Sequence, residues 1–179
     1  MKRSIIISFL LALAIIVTAQ DAYSQINRTI YGLQIGKSTE YQTKSLLKSK
    51  GHKYKIMPDG SIAVVMDNMQ YGGGYWSYMN FKFFKGVLYE IYFHNDSYHI
   101  PIDMDNMYTT IQSSLNNKYK QYRKPISPSG TIEKCQYFYD ERTWVILTIN
   151  NSQGQKYISL DYMDDQLNSK NKQSIEDEL

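Results

Sequence analysis

The chain has 179 residues, with 20 Lys and Arg, 17 Asp and Glu and 3 His, for a formal net charge of +3. Two of those basic residues, Lys2 and Arg3, sit at the very start, and removing them leaves 18 basic against 17 acidic residues. A near-neutral body with no basic stripe excludes nucleic acid as the expected partner, and a single cysteine, Cys135, excludes an intramolecular disulfide.

Residues 1–24 read as a secretory signal peptide. Lys2 and Arg3 precede an apolar run from residue 5 to 17, interrupted only by Ser8, and small residues follow at Ala19, Ala22 and Ser24. A basic start, an apolar stretch of about 7–15 residues and a small-residue cleavage zone are the marks of export. The run is shorter than the roughly 20 residues a bilayer span needs. Cleavage after Ala19 or Ser24 leaves roughly 155–160 residues, which suits one domain or two small fused halves. The expected location is the periplasm or the extracellular space, with no stable membrane insertion once the signal is cleaved.

Residues 26–35 read as an extended lead-in. Gly36 then breaks the chain before a helix to about Lys50, capped by Ser38 or Thr39 with Gln42 as capping-box partner. Tyr41, Leu46 and Leu47 form its expected apolar side, and Gly51 its C-terminal stop. Strands are expected at 53–57 and 62–66, joined by Pro58-Asp59-Gly60. Residues 67–74 read as a loop ending in three glycines. A hairpin of 75–84 and 87–94 turns at Lys85-Gly86.

Asp103 or Asp105 opens a second helix. Met104, Met107, Ile111, Leu115, Tyr119 and Tyr122 recur at steps of three and four, one face of an α-helix. Pro125 and Pro128 end it. Strands at 132–139, 144–150 and 156–163 follow, and residues 164–179 read as a polar, frayed tail. The pattern is helix then strands, twice. The expected class is α+β, a two-layer fold with a helix packed on an antiparallel sheet, in two repeated units at 25–97 and 98–163.

The segment GLQIGKSTEYQTKSLLKSKG, Gly32 to Gly51, resembles the opening helix of small bacterial envelope domains of the BamE/SmpA type. The doubled plan resembles the beta-lactamase inhibitory proteins. This resemblance implies a binding protein that acts through the exposed face of a sheet. The chain departs from those inhibitors in lacking paired cysteines. A composition rich in Tyr, Asn, Lys and Ile is similar to that of secreted proteins of Bacteroidetes.

Strand alternation sorts the faces. Met79, Phe81 and Phe83 are expected inward, with Trp76, Tyr78, Asn80 and Lys82 outward. Val87, Tyr89, Ile91 and Phe93 are expected inward, with Glu90, Tyr92 and His94 outward. Val145, Leu147 and Ile149 point in and Trp144 and Thr148 out; Ile158, Leu160 and Tyr162 point in and Tyr157 and Asp161 out. Strand 132–139 has no clear face.

Tyrosine dominates the aromatics, at 17 against 6 Phe and 2 Trp, and it suits contact surfaces with its apolar body and polar tip. Trp76, Tyr78, Tyr92, Trp144 and Tyr157, interleaved with polar groups, make the composition of a protein-binding face. Tyr71 and Tyr75 flank the glycines and extend it as a binding loop. The expected partner is an envelope or extracellular protein; glycan rings stacked on the same aromatics are the alternative. Sugar platforms need coplanar, spaced rings, whereas protein contacts do not.

No reaction is legible. The glycine loop lacks the GK[ST] ending of a phosphate loop, and neither GxSxG nor HExxH occurs. His94, Asp96 and His99 lie within six residues but at a spacing that defines no metal geometry. A small hydrolase using His94 or His99 is the remaining enzymatic alternative. Glu133, Asp140, Glu141 and Arg142 read as solvated turn charges, and Cys135 as a small core residue. The expectation is a non-catalytic protein with no cofactor and no metal.

Overall fold

A computed structural model describes residues 26–96 and 103–177. The signal segment and His99 lie outside the described residues.

The chain opens with a small hairpin, β1 (Thr29–Ile30) and β2 (Leu33–Gln34). Helix α1 (Glu40–Ser49) follows, with Thr39 and Gln42 closing a capping box. Four strands come next: β3 (Lys55–Ile56), β4 (Ile62–Tyr71), β5 (Gly74–Phe84) and β6 (Val87–Asp96). Helix α2 (Met104–Tyr119) is capped by the Asp103 side chain. Then come β7 (Arg123–Lys124), β8 (Ile132–Tyr139), β9 (Thr143–Ser152) and β10 (Gln155–Asp164). Helix α3 (Asp165–Glu176) ends the described chain.

The expected two-layer helix-on-sheet unit repeated twice is not what forms. Among the described residues strand accounts for 46% and helix for 28%, so the fold is β-rich. Apart from β1–β2, all strands join one eight-stranded antiparallel sheet in the order β3-β4-β5-β6-β10-β9-β8-β7. The seam is β6–β10, paired from Tyr157 with Asp96 through Met163 with Glu90. Helices lie on both faces, because the expected frayed tail is α3. Asp164 starts that helix by accepting the Leu167 amide, and α3 packs against β5, β6 and β10.

One face of the sheet carries the core. Met79, Phe81, Ile91, Phe93, Leu147 and Leu160 are all fully buried there. Met104, Met107, Ile111, Leu115 and Tyr119 of α2 cover them as expected, while Ile26, Ile30, Leu33 and Ile35 of the lead-in and Leu47 of α1 complete the layer. Each such aliphatic side chain contributes roughly 1.5–3 kcal/mol on burial. Tyr41 is the exception to the expected α1 face, at 79% exposed.

Two turns set the registers. Lys85 and Gly86 both have positive φ, 48° and 77°, as a two-residue hairpin of matching twist requires. The expected loop at 67–74 is instead the end of β4, a tight Gly72-Gly73 turn and the start of β5. Gly74 is buried for a separate reason. A Cβ there would lie 2.8 Å from Met107 Cε and 2.9 Å from both Ile111 Cδ1 and Trp76 Cζ2.

Two buried carboxylates fasten the lead-in to the sheet end. Asp164 pairs with Arg28 and, at 3.4 Å, with Arg142. Asp140 accepts the backbone N–H groups of Ile26 at 3.1 Å and Thr143 at 2.7 Å. Asp140 and Arg142 are thus structural ties rather than solvated turn charges.

Candidate functional site: the outer sheet face

The face away from the core is organised in cross-strand rows. One row runs Val65, Tyr78, His94, Ser159, Thr148, Cys135 across β4, β5, β6, β10, β9 and β8. The next runs Ala63, Asn80, Tyr92, Asp161, Ile146, Tyr137. Residues opposite one another in a row stand about 5 Å apart, so their side chains must interact.

His94 is the hub. Its ring centroid lies 5.1 Å from that of Tyr157, 5.9 Å from Tyr92 and 6.4 Å from Tyr78. The Tyr92 hydroxyl sits 3.1 Å from His94 Nδ1, and Asp96 Oδ2 lies 3.8 Å from His94 Nε2. Burial, with smaller contributions from Tyr157, Asp161 and Glu90, pushes the Tyr92 phenol up to about 12 against a hydrogen bond from Ser159. Burial also raises the Tyr78 phenol. The floor between the rings is made of small hydroxyls. Thr148 Oγ1 and Ser159 Oγ are 2.8 Å apart, and the Asn150 amide donates to Thr148 at 2.7 Å. Val65, 78% exposed, closes the row beside Tyr78.

Three of the expected contact residues, Tyr78, Tyr92 and Tyr157, therefore meet. The others do not. Trp76 is fully buried on the core face, its ring 5.6 Å from Phe93 and its indole N–H donating to the Tyr71 carbonyl at 2.9 Å. Simple alternation would put Trp76 and Tyr78 on one side; Trp76 turns to the core opposite the place where the β4–β5 register shifts between Val65 and Met69. Tyr71 stacks on Phe93 at 4.7 Å, within the core rather than on a binding loop. Tyr75 is 39% exposed at the hairpin end.

Trp144 is on the outer face but is occupied. It stacks on Tyr139 at 4.2 Å and donates to Asp165 of α3 at 3.1 Å. Tyr89, expected inward, accepts from Asn171 of α3 at 3.4 Å. It sits where the β5–β6 register shifts between Lys82 and Phe83. Cys135 is half-buried on this face rather than in the core. Its thiol lies 3.5 Å from the Ile126 carbonyl, and burial raises its pKa.

Sequence reasoning weighed His94 only as a metal or hydrolase residue and missed it as the centre of the cluster. Its outward parity beside Tyr92 was the available signal. Lys82, Glu90 and Asp161 were read as scattered polar groups, yet Glu90 is only 5% exposed.

No protein-family model, curated protein or solved structure matches the chain.

Proposed function

We propose that the protein is an exported, non-catalytic binding protein. Its outer sheet face contacts an envelope or secreted protein through Tyr78, Tyr92, His94 and Tyr157. The observation that carries this reading is the convergence of three tyrosine rings on one histidine, beside exposed Val65. Tyr at the centre of a patch, over small hydroxyls, is hot-spot composition. The basic start, apolar run and small-residue cleavage zone at the N-terminus support export.

The ring geometry favours a protein over a glycan. Relative to His94, the rings of Tyr92, Tyr157 and Tyr78 lie at 27°, 41° and 89°. They form a cup of tilted edges, not the coplanar platform on which sugars stack.

The test is affinity capture from an envelope extract of the native host, comparing the mature protein with Tyr78→Ala/Tyr157→Ala. A partner retained by the parent should lose about 30-fold or more in affinity for each hot-spot ring removed, the equivalent of ~2 kcal/mol. Equal retention by both proteins refutes the reading.

A further inference from the structure

The tyrosine cup carries a carboxylate at its rim. Asp96 on β6 stands opposite Tyr157 on β10, and its Oδ2 lies 3.8 Å from His94 Nε2. The Asp96 side chain is 28% exposed and that of His94 23%, so both are reachable from solvent. Tyr78, Tyr92 and Tyr157 are half-buried around them.

Positive charge is scarce on this part of the face. Lys82, one row beyond Asn80 and Tyr92, is committed to Glu90 at 2.6 Å and also feels Asp161. Lys55 on β3 and Lys124 on β7 stand in the Tyr92 row, but at opposite edges of the sheet. β3 is three strands from β6 and β7 is three strands from β10. At ~4.8 Å per strand each lysine is about 14 Å away, beyond the ~8–10 Å screening length at ordinary ionic strength. Elsewhere lysines lie over the rings of Tyr31, Phe84, Tyr139 and Tyr108. Among the described residues no cation lies over Tyr78, Tyr92 or Tyr157.

We infer that the partner seats an arginine side chain in this cup, held by the phenol faces and by Asp96. The inference rests on the outer face being the contact surface, and it names the chemistry that surface takes.

Each phenol ring is negative on its face and attracts a cation within ~6 Å of its centre. The three rings meet His94 at 27°, 41° and 89°, with centroids 5.9, 5.1 and 6.4 Å away. A cation placed against the imidazole therefore has more than one ring in reach. Arginine suits this setting better than lysine. Its guanidinium is planar, stacks on aromatic faces, sheds water readily and offers a fork of donors to a carboxylate. Lysine presents a strongly hydrated point charge. An anionic group meets Asp96 and the ring faces with the wrong sign.

The experiment is a titration of the mature protein with N-acetyl-arginine amide, followed by the carbon-13 and proton shifts of the Tyr and His rings. It is run at low salt and pH 8, where an ordinary imidazole is neutral. The lysine, glutamate and leucine amides are run in parallel. The arginine amide should saturate the Tyr78, Tyr92, Tyr157 and His94 signals, with a Kd on the order of millimolar. The lysine amide should bind about 3–10-fold more weakly, and the other two should not saturate. Asp96→Asn, which keeps the shape of the side chain, should weaken the arginine amide about 5–10-fold. Arginine that fails to saturate these rings, a lysine or glutamate amide that binds as tightly, or an unchanged arginine affinity in Asp96→Asn overturns the inference. If that variant does not fold, the four amides on the parent protein decide by the same criteria. Asp96→Lys in the affinity capture separates this inference from the reading beneath it. A partner lost in Tyr78→Ala/Tyr157→Ala but kept by Asp96→Lys leaves the contact face standing and refutes the arginine. A partner indifferent to the tyrosines refutes the contact face itself.

Discussion

Replacing Trp76 by alanine separates the core from the contact face. The side chain is fully buried, packs on Phe93 at 5.6 Å and touches the site a Gly74 Cβ would fill. Removing a buried Trp costs about 3–5 kcal/mol through lost transfer energy and the cavity left behind. The Tyr71 carbonyl also loses its indole donor, 2.9 Å away, which adds ~1 kcal/mol. For a body of this size each kcal/mol lowers Tm by roughly 2–4 °C, so a drop of about 10–20 °C is expected. Thermal and urea melts followed by far-ultraviolet circular dichroism measure it without depending on the lost fluorophore. Tyr157→Ala, on a half-exposed ring, should move Tm by less than about 5 °C on the same scale. A Trp76→Ala melt within about 2 °C of the parent would refute the core assignment and return Trp76 to the contact face. The contrast also decides which variants can report on binding, because a Trp76 variant would lose partner affinity merely by unfolding.

Gly74→Ala should destabilise by ~1–3 kcal/mol, since its Cβ overlaps Met107, Ile111 and Trp76; a urea midpoint equal to the parent's would contradict the close approach. Arg28→Met leaves the buried Asp164 carboxylate with Arg142, at 3.4 Å, as its one cationic partner beside the Leu167 amide, and a loss of about 3 kcal/mol is expected in the same melts. Tyr92→Phe should remove from the ultraviolet titration a phenol with midpoint near 12. Because that folded value lies above the ordinary 10, the stability from neutral Tyr92 is complete below pH ~10 and is lost as pH rises through ~12.

Local structure was legible wherever a short-range rule applies. The Thr39–Gln42 capping box and the α2 stripe at Met104, Met107, Ile111, Leu115 and Tyr119 formed as read, because capping and helical periodicity act within one or two turns. The Lys85-Gly86 hairpin formed for the same reason. Face assignment failed where a register shifts. Tyr89 is the extra residue of β6 between the Lys82–Glu90 and Phe83–Leu88 pairs, and one extra residue inverts every side chain beyond it, while Trp76 lies opposite a stretch where β4 carries two extra residues. The polar tail was misread because α3 has no fully buried residue to announce it. Its seat is made of Trp144, Tyr139 and Tyr89, residues distant in sequence.

The candidate site was half legible. Outward parity already marked Tyr78, Tyr92, Tyr157 and His94, yet β5, β6 and β10 had to be neighbours before their rings could meet. The β6–β10 pairing joins Tyr92 to Asp161 and His94 to Ser159, across a separation that periodicity within a strand does not encode. Sequence alone determined the first two helices, most strands and the sides of most residues, because propensity, capping and alternation are local. Tertiary structure decided that the strands close into one eight-stranded sheet, that Trp76 and Tyr71 serve the core, and that Glu90 is buried on the outer face. Those outcomes depend on pairings between distant segments, whose free energy is collected only when the whole sheet assembles.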